Sequence, residues 1–195
     1  MRCTNIDASS GAIQEYINGN PWHKGTTLPV ALIGSSLAAV KWQHNGIHLR
    51  VYYQAADHTL KEHAWDGSWY VGMHLCYYSN IGGFHPGRAP KFTPITAIGW
   101  LEGSGIKLRV YWEDIYRDLI ESGWNSGWSH PARVHLPHRI IGVYISAIQW
   151  NSGKSIRIYD QGDKDEIVEQ ATDNSSSSWY NGQGVATSNL KPRPP

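Results

Sequence analysis

One short segment occurs three times in the chain, and this repetition limits the possible folds more than any other feature. Leu-Arg-Val-Tyr-Tyr at 49–53 returns as Leu-Arg-Val-Tyr-Trp at 108–112 and as Ile-Arg-Ile-Tyr-Asp at 156–160. Each copy follows a small apolar segment that ends in tryptophan. The chain is therefore expected to consist of repeated structural units that pack against one another.

Each of the three copies is followed by a glutamate at a constant distance. Glu62, Glu121 and Glu169 all lie twelve residues after the arginine of their unit. A spacing kept in three units is hard to attribute to chance. The sequence therefore predicts that the arginine and the glutamate of a unit have a shared role.

A degenerate fourth copy opens the chain. Arg2 is followed by Glu15 at a spacing of thirteen, and Trp-His-Lys-Gly at 22–25 resembles the Trp-x-x-Gly endings at 69–72 and 179–182. This copy lacks the first apolar segment. We therefore expect three complete units and one that has lost its innermost strand.

The pattern within each unit predicts short strands separated by turns, without sustained helical periodicity. Four antiparallel strands in every ~40–50 residues are typical of a propeller blade. We therefore predict a single all-β domain, a β-propeller built from four-stranded antiparallel blades. Its parts are a partial blade at 1–28, blades at about 37–77, 95–135 and 144–185, and a polar tail at 186–195.

Charge and aromatic content limit the class of ligand. Charged residues make up 17% of the chain, the net charge is +1, and no run of like charges occurs, which argues against a nucleic-acid partner. The chain has 10 Trp and 11 Tyr but only 2 Phe. Trp and Tyr offer an apolar face with a hydrogen-bonding edge, and this combination suits a sugar.

Targeting and covalent cross-links leave few traces in the sequence. No window approaches the ~20 apolar residues of a membrane span, and the first residues lack the apolar stretch of a signal peptide. Cys3 and Cys76 are too few for a disulfide framework. We expect no membrane insertion, and a protein that is cytoplasmic or secreted by a non-classical route.

The twelve-residue spacing also predicts where the paired side chains lie. A hairpin centred on Ala56 would place Arg50 directly opposite Glu62 on one face of the sheet. The same reasoning centres the other two hairpins on Ile115 and Asp163. A guanidinium beside a carboxylate can be a simple salt bridge, but its repetition beside a tryptophan favours a site that holds ligand hydroxyls.

The repeated arginine segments, together with Lys-Glu-His-Ala-Trp-Asp-Gly-Ser-Trp-Tyr-Val-Gly at 61–72, resemble the blades of the fungal fucose-specific lectins typified by Aleuria aurantia lectin. The resemblance covers nearly the whole chain and is strongest over 37–75 and 95–130. It implies a six-bladed propeller that binds L-fucose between adjacent blades, with fucosylated glycans or glycoproteins as partners and no cofactor. Four units are fewer than six, so the chain is a fragment, an arc that closes with another chain, or a tighter ring, and we expect a homo-oligomer.

The resemblance also implies a role for each repeated residue. In that family the arginine and the glutamate of one blade bind the hydroxyls and ring oxygen of the sugar, and aromatics of the next blade pack on its methyl side. The implied pairs are Arg2/Glu15, Arg50/Glu62, Arg109/Glu121 and Arg157/Glu169. The implied packing tryptophans are Trp65 with Trp69, Trp124 with Trp128, and Trp179.

These implied sites differ in completeness. The Arg50 pair faces both Trp124 and Trp128, which makes it the most complete. The Arg2 pair also faces two tryptophans, but its hairpin is one residue longer and less regular. The first of these sites is therefore the principal candidate.

The two remaining sites lack part of the aromatic wall. The Arg109 pair would meet Trp179, but Thr172 stands where the first wall tryptophan is expected. The Arg157 pair has no following blade in this chain, and Asn18 replaces a wall tryptophan if the first unit closes on it. We expect weaker binding at both.

Three alternatives to a lectin have weaker support in the sequence. A sialidase-like glycosidase needs carboxylates that converge on one bond, whereas here each carboxylate is paired with an arginine in its own unit. A protein-interaction propeller of the WD type is suggested only by the dipeptide Trp65-Asp66. A metal site at His-Leu-Pro-His, 135–138, lacks a matching carboxylate or cysteine pair, so we expect no metal.

Overall fold

The computed structural model describes residues 2–74, 89–134, 144–162, 166–173 and 178–183. These residues form strands arranged in four antiparallel sheets, which follow one another along the chain and which we number as blades one to four. Blade one has three strands and the other blades have four. The predicted all-β fold with four-stranded antiparallel blades is confirmed.

The strands of the first two blades are β1 (Arg2–Ile6), β2 (Ala12–Ile17) and β3 (His23–Val30), then β4 (Leu37–Gln43), β5 (Ile47–Gln54), β6 (Leu60–Trp65) and β7 (Trp69–His74). Those of the last two are β8 (Ile95–Glu102), β9 (Gly105–Glu113), β10 (Leu119–Asn125) and β11 (Ala132–Val134), then β12 (Ser146–Trp150), β13 (Ser155–Gln161), β14 (Ile167–Asp173) and β15 (Tyr180–Asn181). Residues 135–138 and the tail at 186–195 lie outside the described residues.

The second strand of each blade uses its two faces differently. Successive side chains of a strand point to opposite sides of the sheet. In β9, Leu108, Val110 and Trp112 pack in a core cluster with blade two, whereas Tyr111 packs in a cluster with blade four. Arg109 lies on the same face as Tyr111. The repeated segment therefore places apolar residues toward the preceding blade and the arginine toward the following one.

The hydrophobic core lies between blades. Three clusters fill the spaces between blades one and two, two and three, and three and four. Tyr52, Tyr111 and Trp112 are fully buried in them. Because large side chains from both neighbours fill each space, burial of apolar surface holds adjacent blades together.

The predicted register of the arginine hairpins is wrong by two residues. Arg50 lies opposite Ala64, and Glu62 lies opposite Tyr52. The cause is the β5–β6 turn, where the Asp57 side chain accepts hydrogen bonds from the backbone and hydroxyl of Thr59. This turn is centred on residue 57 rather than 56. The arginine and the glutamate keep a common face but are diagonal neighbours.

The same diagonal offset occurs in every blade. Arg109 lies opposite Gly123, Arg157 opposite Ala171, and Arg2 opposite Ile17, so each glutamate is two positions away from its arginine's partner. The predicted centres at Ile115 and Asp163 are wrong by the same offset, as the strand pairing shows, although Asp163 itself lies outside the described residues. In blade one the β1–β2 hairpin is regular, and the irregularity is in the β2–β3 pairing.

Candidate functional site

The diagonal register brings each arginine close to its glutamate. Nε of the arginine lies 3.7 Å from Oε1 of the glutamate in blade two, 3.6 Å in blade three and 3.5 Å in blade four. In blade one, Arg2 Nη1 lies 2.6 Å from Glu15 Oε1. All four pairs that the spacing predicted are therefore assembled, with a shorter contact in the degenerate blade.

A tryptophan of the first strand covers the guanidinium in each complete blade. The ring centroids of Trp42, Trp100 and Trp150 lie 4.8, 5.3 and 4.8 Å from the guanidinium carbon of their own blade's arginine. Such cation–π contacts hold the guanidinium plane in place. The sequence identifies these tryptophans only as the ends of strands and does not predict their part in the site.

An aspartate also holds Arg50. Arg50 Nη1 and Nη2 donate to the two carboxylate oxygens of Asp66, both at 3.0 Å. Tyr70 donates its hydroxyl hydrogen to Asp66, and His48 Nδ1 lies 2.5 Å from Oδ1. Burial opposes ionisation of Asp66, but the hydrogen bonds from Arg50, Tyr70 and His48 keep its pKa well below the usual value.

Blade four repeats this arrangement. Arg157 donates to both oxygens of Asp173 at 3.1 and 3.0 Å, and Tyr180 donates to the same carboxylate. The hydrogen bond from Arg157 is the main cause of the depressed pKa of Asp173. Asp66 and Asp173 each lie sixteen residues after their arginine. This second constant spacing is the sequence signal that reveals the aspartates, whereas the dipeptide Trp65-Asp66 alone suggests only a WD motif.

The Trp-x-x-Gly endings have a steric explanation. A Cβ at Gly25, Gly72 or Gly182 would collide with the carboxylate of the glutamate in the preceding strand. In blade three Ala132 lies opposite Glu121 instead. A glycine at this position lets the last strand pass close to the glutamate and fixes where its carboxylate lies.

The most complete site is a pocket of about 350 Å³ between blades two and three, which we call the Arg50 pocket. Arg50, Glu62 and Tyr70 line its polar side, and Ile106, Trp124 and Trp128 line its apolar side. The side chains of Arg50 and Glu62 are only 13% and 7% exposed. The structure thus brings together all four residues predicted for this site.

A second pocket, of about 420 Å³, lies between blades three and four, and we call it the Arg109 pocket. Arg109 and Glu121 face Ile156, Thr172 and Trp179 across it. Trp179 meets Tyr111 edge to face at 6.1 Å, as Trp128 meets Tyr52 at 6.2 Å. Burial raises the pKa of Glu121 despite the opposing effects of Tyr111 and Arg109. One tryptophan of the wall is missing here, as the sequence predicted.

The other two pairs are surrounded differently. The ring of Trp65 lies directly over Arg2, 4.2 Å from ring centroid to guanidinium carbon, and Trp69 Nε1 is 3.4 Å from Glu15 Oε2. The wall of blade two therefore touches this pair. The Arg157 pair lies on the outer face of blade four, which packs against no further blade among the described residues.

Other kinds of site find little support in the described part of the chain. No group of three or more His, Cys, Asp and Glu side chains is placed to hold a metal ion there. Among the same residues, no helix has the length and apolar character needed to cross a membrane.

Comparison with known proteins gives relatives of one kind. The fucose-specific lectin of Aleuria aurantia is 32% identical over 129 residues, which are 66% of this chain and 36% of that protein. The fucose-specific lectin of Aspergillus fumigatus is 29% identical over 160 residues, 76% of this chain and 48% of that protein. The chain thus spans about a third to a half of the length of these relatives.

Solved structures show the same likeness. A structure of Aleuria aurantia lectin described as a six-bladed β-propeller superposes with a TM-score of 0.76 and 28% identity, covering 95% of this chain and 56% of that one. A mutant of the same lectin, in complex with Fucα1-6GlcNAc, gives a TM-score of 0.75 over 95% of this chain and 57% of that one.

A third solved structure gives a more distant match. The fucose lectin from Kordia zhangzhouensis, in complex with methyl-fucoside, has a TM-score of 0.55 at 25% identity and covers 74% of this chain and 96% of that one. The family model described as fungal fucose-specific lectin matches residues 3–150 and 74–194. Four propeller blades with a repeated arginine–glutamate pair, together with this match over nearly the full sequence, show that the chain belongs to the fungal fucose-specific lectin family.

Proposed function

We propose that this chain is a lectin that binds L-fucose on fucosylated glycans, in pockets between adjacent blades, without breaking any bond. The observation on which this depends is the Arg50 pocket, where a guanidinium and a carboxylate face two indole rings. The relatives are named fucose-specific lectins, and solved structures of similar proteins contain fucosides.

The polar side of the pocket suits sugar hydroxyls. Arg50 Nε and Glu62 Oε1 are 3.7 Å apart, which is longer than a hydrogen bond. A ligand hydroxyl can accept from the guanidinium and donate to the carboxylate at the same time. Because Asp66 holds the outer edge of the guanidinium, Arg50 is already oriented before the ligand arrives, which lowers the entropic cost of binding.

The apolar side suits the methyl group and C–H face of a deoxy sugar. Trp124 and Trp128 meet at 5.9 Å and 65°, so their rings form an angled wall rather than a stack. Ile106 and Leu108 complete this side of the pocket. A sugar with an exposed methyl group would bury it here, where a hydroxymethyl group would lose hydrogen bonds to water.

Among the described residues, no observation specifically supports a WD-type interaction propeller or a glycosidase. Asp66, the acidic half of the supposed WD motif, is engaged with Arg50, Tyr70 and His48. The relatives are lectins rather than glycosidases. Hydrolysis of aryl fucosides that is abolished by Glu62→Gln would overturn the proposal of binding without catalysis.

The test is calorimetric titration with α-methyl-L-fucoside. Arg50→Ala and Glu62→Gln should each weaken binding at the Arg50 pocket by at least tenfold, because each removes a charge-assisted hydrogen bond to the sugar and the charge that balances the remaining group. Lys41→Ala is the matched control, since it removes a charge from an exposed position on the same blade. Absence of fucose-dependent binding by the parent protein would refute the function.

Single sugar contacts of this size are weak, and several pockets on one assembly raise the avidity. Self-association of the chain, expected from the sequence, is part of the proposal. Light scattering at micromolar concentration tests it, and a monomeric mass would contradict it.

A further inference from the structure

We infer that the site around Arg109 binds a carboxylate-bearing sugar, a uronic or sialic acid, whose carboxylate takes the place that Asp66 and Asp173 occupy in blades two and four. The inference rests on the proposed function only in taking the ligand to be a sugar. Its basis is a difference among three copies of one structural unit.

Blades two and four show what an arginine in this position binds. Arg50 and Arg157 each donate through both terminal nitrogens to one carboxylate, with distances between 3.0 and 3.1 Å. This is the bidentate geometry in which a planar guanidinium matches a planar carboxylate. The protein thus contains two internal examples of the complex that we propose for blade three.

Blade three has the arginine without the carboxylate. Asn125 occupies the position of Asp66 and Asp173, sixteen residues after Arg109, and its side chain accepts a hydrogen bond from Lys107. Arg109 Nη1 donates to the Leu108 carbonyl, and Nη2 has no acceptor within the part of the chain that the structure describes. The outer edge of this guanidinium is therefore available to an external acceptor.

Space is available beside that edge. Tyr70 and Tyr180 directly follow Trp69 and Trp179, but Ser129 follows the equivalent Trp128 in blade three. A cavity of about 550 Å³, which we call the Ser129 cavity, opens there. Its lining includes Arg109, Glu121, Gly123, Asn125 and Ser129. Loss of an aromatic ring and loss of an aspartate thus coincide at one place.

The charges around Arg109 permit an anion, because its two cations are balanced by only two acids, Glu121 and Glu102. Lys107 stands in the cross-strand position that His48 has in blade two and Ser155 has in blade four, and it places a cation beside Asn125 that is also paired with Glu102 at 3.3 Å. Glu121 is the nearest acid, but blade two shows that one guanidinium accommodates two carboxylates, since Glu62 and Asp66 both contact Arg50. An incoming carboxylate would therefore restore the charge balance found in blade two.

The experiment follows the arginine Nε–H signals by NMR during titration. The probes are methyl β-D-glucuronide, N-acetylneuraminic acid and, as the neutral control, methyl β-D-glucoside. We expect at least one acidic probe to shift the Arg109 signal saturably, with an affinity at least fivefold above that of the neutral glucoside. Whichever acid binds more tightly distinguishes a uronic acid from a sialic acid.

Two variants of blade three should abolish this preference. Asn125→Asp supplies an internal carboxylate, and Ser129→Tyr fills the cavity, so each should reduce the affinity for the acidic probe at least fivefold. Asp66→Asn is the converse variant, and it should make the Arg50 signal respond to the same probe. Binding that is unchanged in Asn125→Asp and in Ser129→Tyr would overturn the inference.

The outcomes separate this inference from the proposed function. If α-methyl-L-fucoside binds at the Arg50 pocket while neither acid is preferred at Arg109, only the present inference fails. If fucose binds nowhere, the proposed function fails, and the response of Arg109 to the acidic probes still decides whether the anion site exists.

Discussion

The Arg50 pocket and the Arg109 pocket are built on the same backbone and differ in the side chains around it. Both have an arginine and a glutamate in the same diagonal register, with Nε to Oε1 distances of 3.7 and 3.6 Å. Both have a buried tyrosine against an indole edge of the next blade. Strand register therefore fixes the pair, whereas neighbouring positions decide what it can bind.

The clearest difference is the freedom of the arginine. Arg50 lies opposite Ala64 and is held by Asp66, whereas Arg109 lies opposite Gly123, where a Cβ would collide with the guanidinium. The missing methyl group lets Arg109 lie against the backbone. Its side chain is 26% exposed, compared with 13% for Arg50. Blade two thus has a preoriented arginine, and blade three has a more accessible one.

The largest expected effect comes from removing the wall of the Arg50 pocket. Trp124→Ala should weaken fucose binding there by about 10-fold to 100-fold, since burying one large apolar side chain contributes about 1.5–3 kcal/mol. The Arg109 pocket should keep its affinity, because Trp124 faces blade two. Site-resolved NMR titration measures both, and an equal loss at the two pockets would break the comparison.

Adding the missing wall to the Arg109 pocket should have a smaller, opposite effect. Thr172→Trp should raise fucose affinity there by about 3-fold to 10-fold, as one new aromatic contact contributes about 0.5–1.5 kcal/mol. Thr172→Val is the control, because it has nearly the same size and no ring. A gain as large in the valine variant would show that the ring is not the cause.

The aspartate of blade two should make stability depend on pH. Because the folded-state pKa of Asp66 is depressed, its contribution is fully present above the ordinary value of about 3.9 and is lost as the pH falls toward the folded-state pKa. Asp66→Asn should lower the unfolding free energy by about 1 kcal/mol at pH 7, allowing for partial solvent screening, and by much less near pH 2.

Chemical denaturation from pH 7 to pH 2 measures this difference. Asn125→Gln is the control in blade three, where no carboxylate titrates at the equivalent position. A stability difference between parent and Asp66→Asn that stays constant down to pH 2 would contradict the assignment of Asp66 as an ionised partner of Arg50.

The smallest effect is expected from the tryptophan that covers Arg50 from within its own blade. Trp42→Leu removes a cation–π contact worth about 0.5–1 kcal/mol, so fucose affinity at the Arg50 pocket should fall about 2-fold to 5-fold. Trp100→Leu should act in the same way on the Arg109 pocket alone. Calorimetry of the two variants checks this, and a change at the wrong pocket would refute the role.

The blades and the shared face of each pair followed from the sequence, because strand alternation has a period of two and the repeat fixed which residues recur. The register did not, since Asp57 and its hydrogen bonds lengthen the turn in a way that spacing alone does not reveal. Chain order also predicted that Thr172 would stand in the wall opposite Arg109.

The second layer around the arginines was not predicted, for a physical reason. Asp66 and Asp173 contact their arginine from the end of the neighbouring strand. Their sixteen-residue spacing holds in only two of the four units. The contact of Gly72 with Glu62 depends on how closely two backbones approach, which composition does not encode. Such contacts become visible only when the strands are placed side by side.

The alternation along the second strand of each blade has a consequence for how such proteins diversify. One face of a blade is the floor of one pocket, and its other face is the wall of the pocket before it. Copying a blade by gene duplication therefore transfers two half-sites and no whole one. Ligand specificity is therefore determined where two blades meet. A substitution in one blade changes the pocket that it forms with the preceding blade as well as the pocket that it forms with the following one.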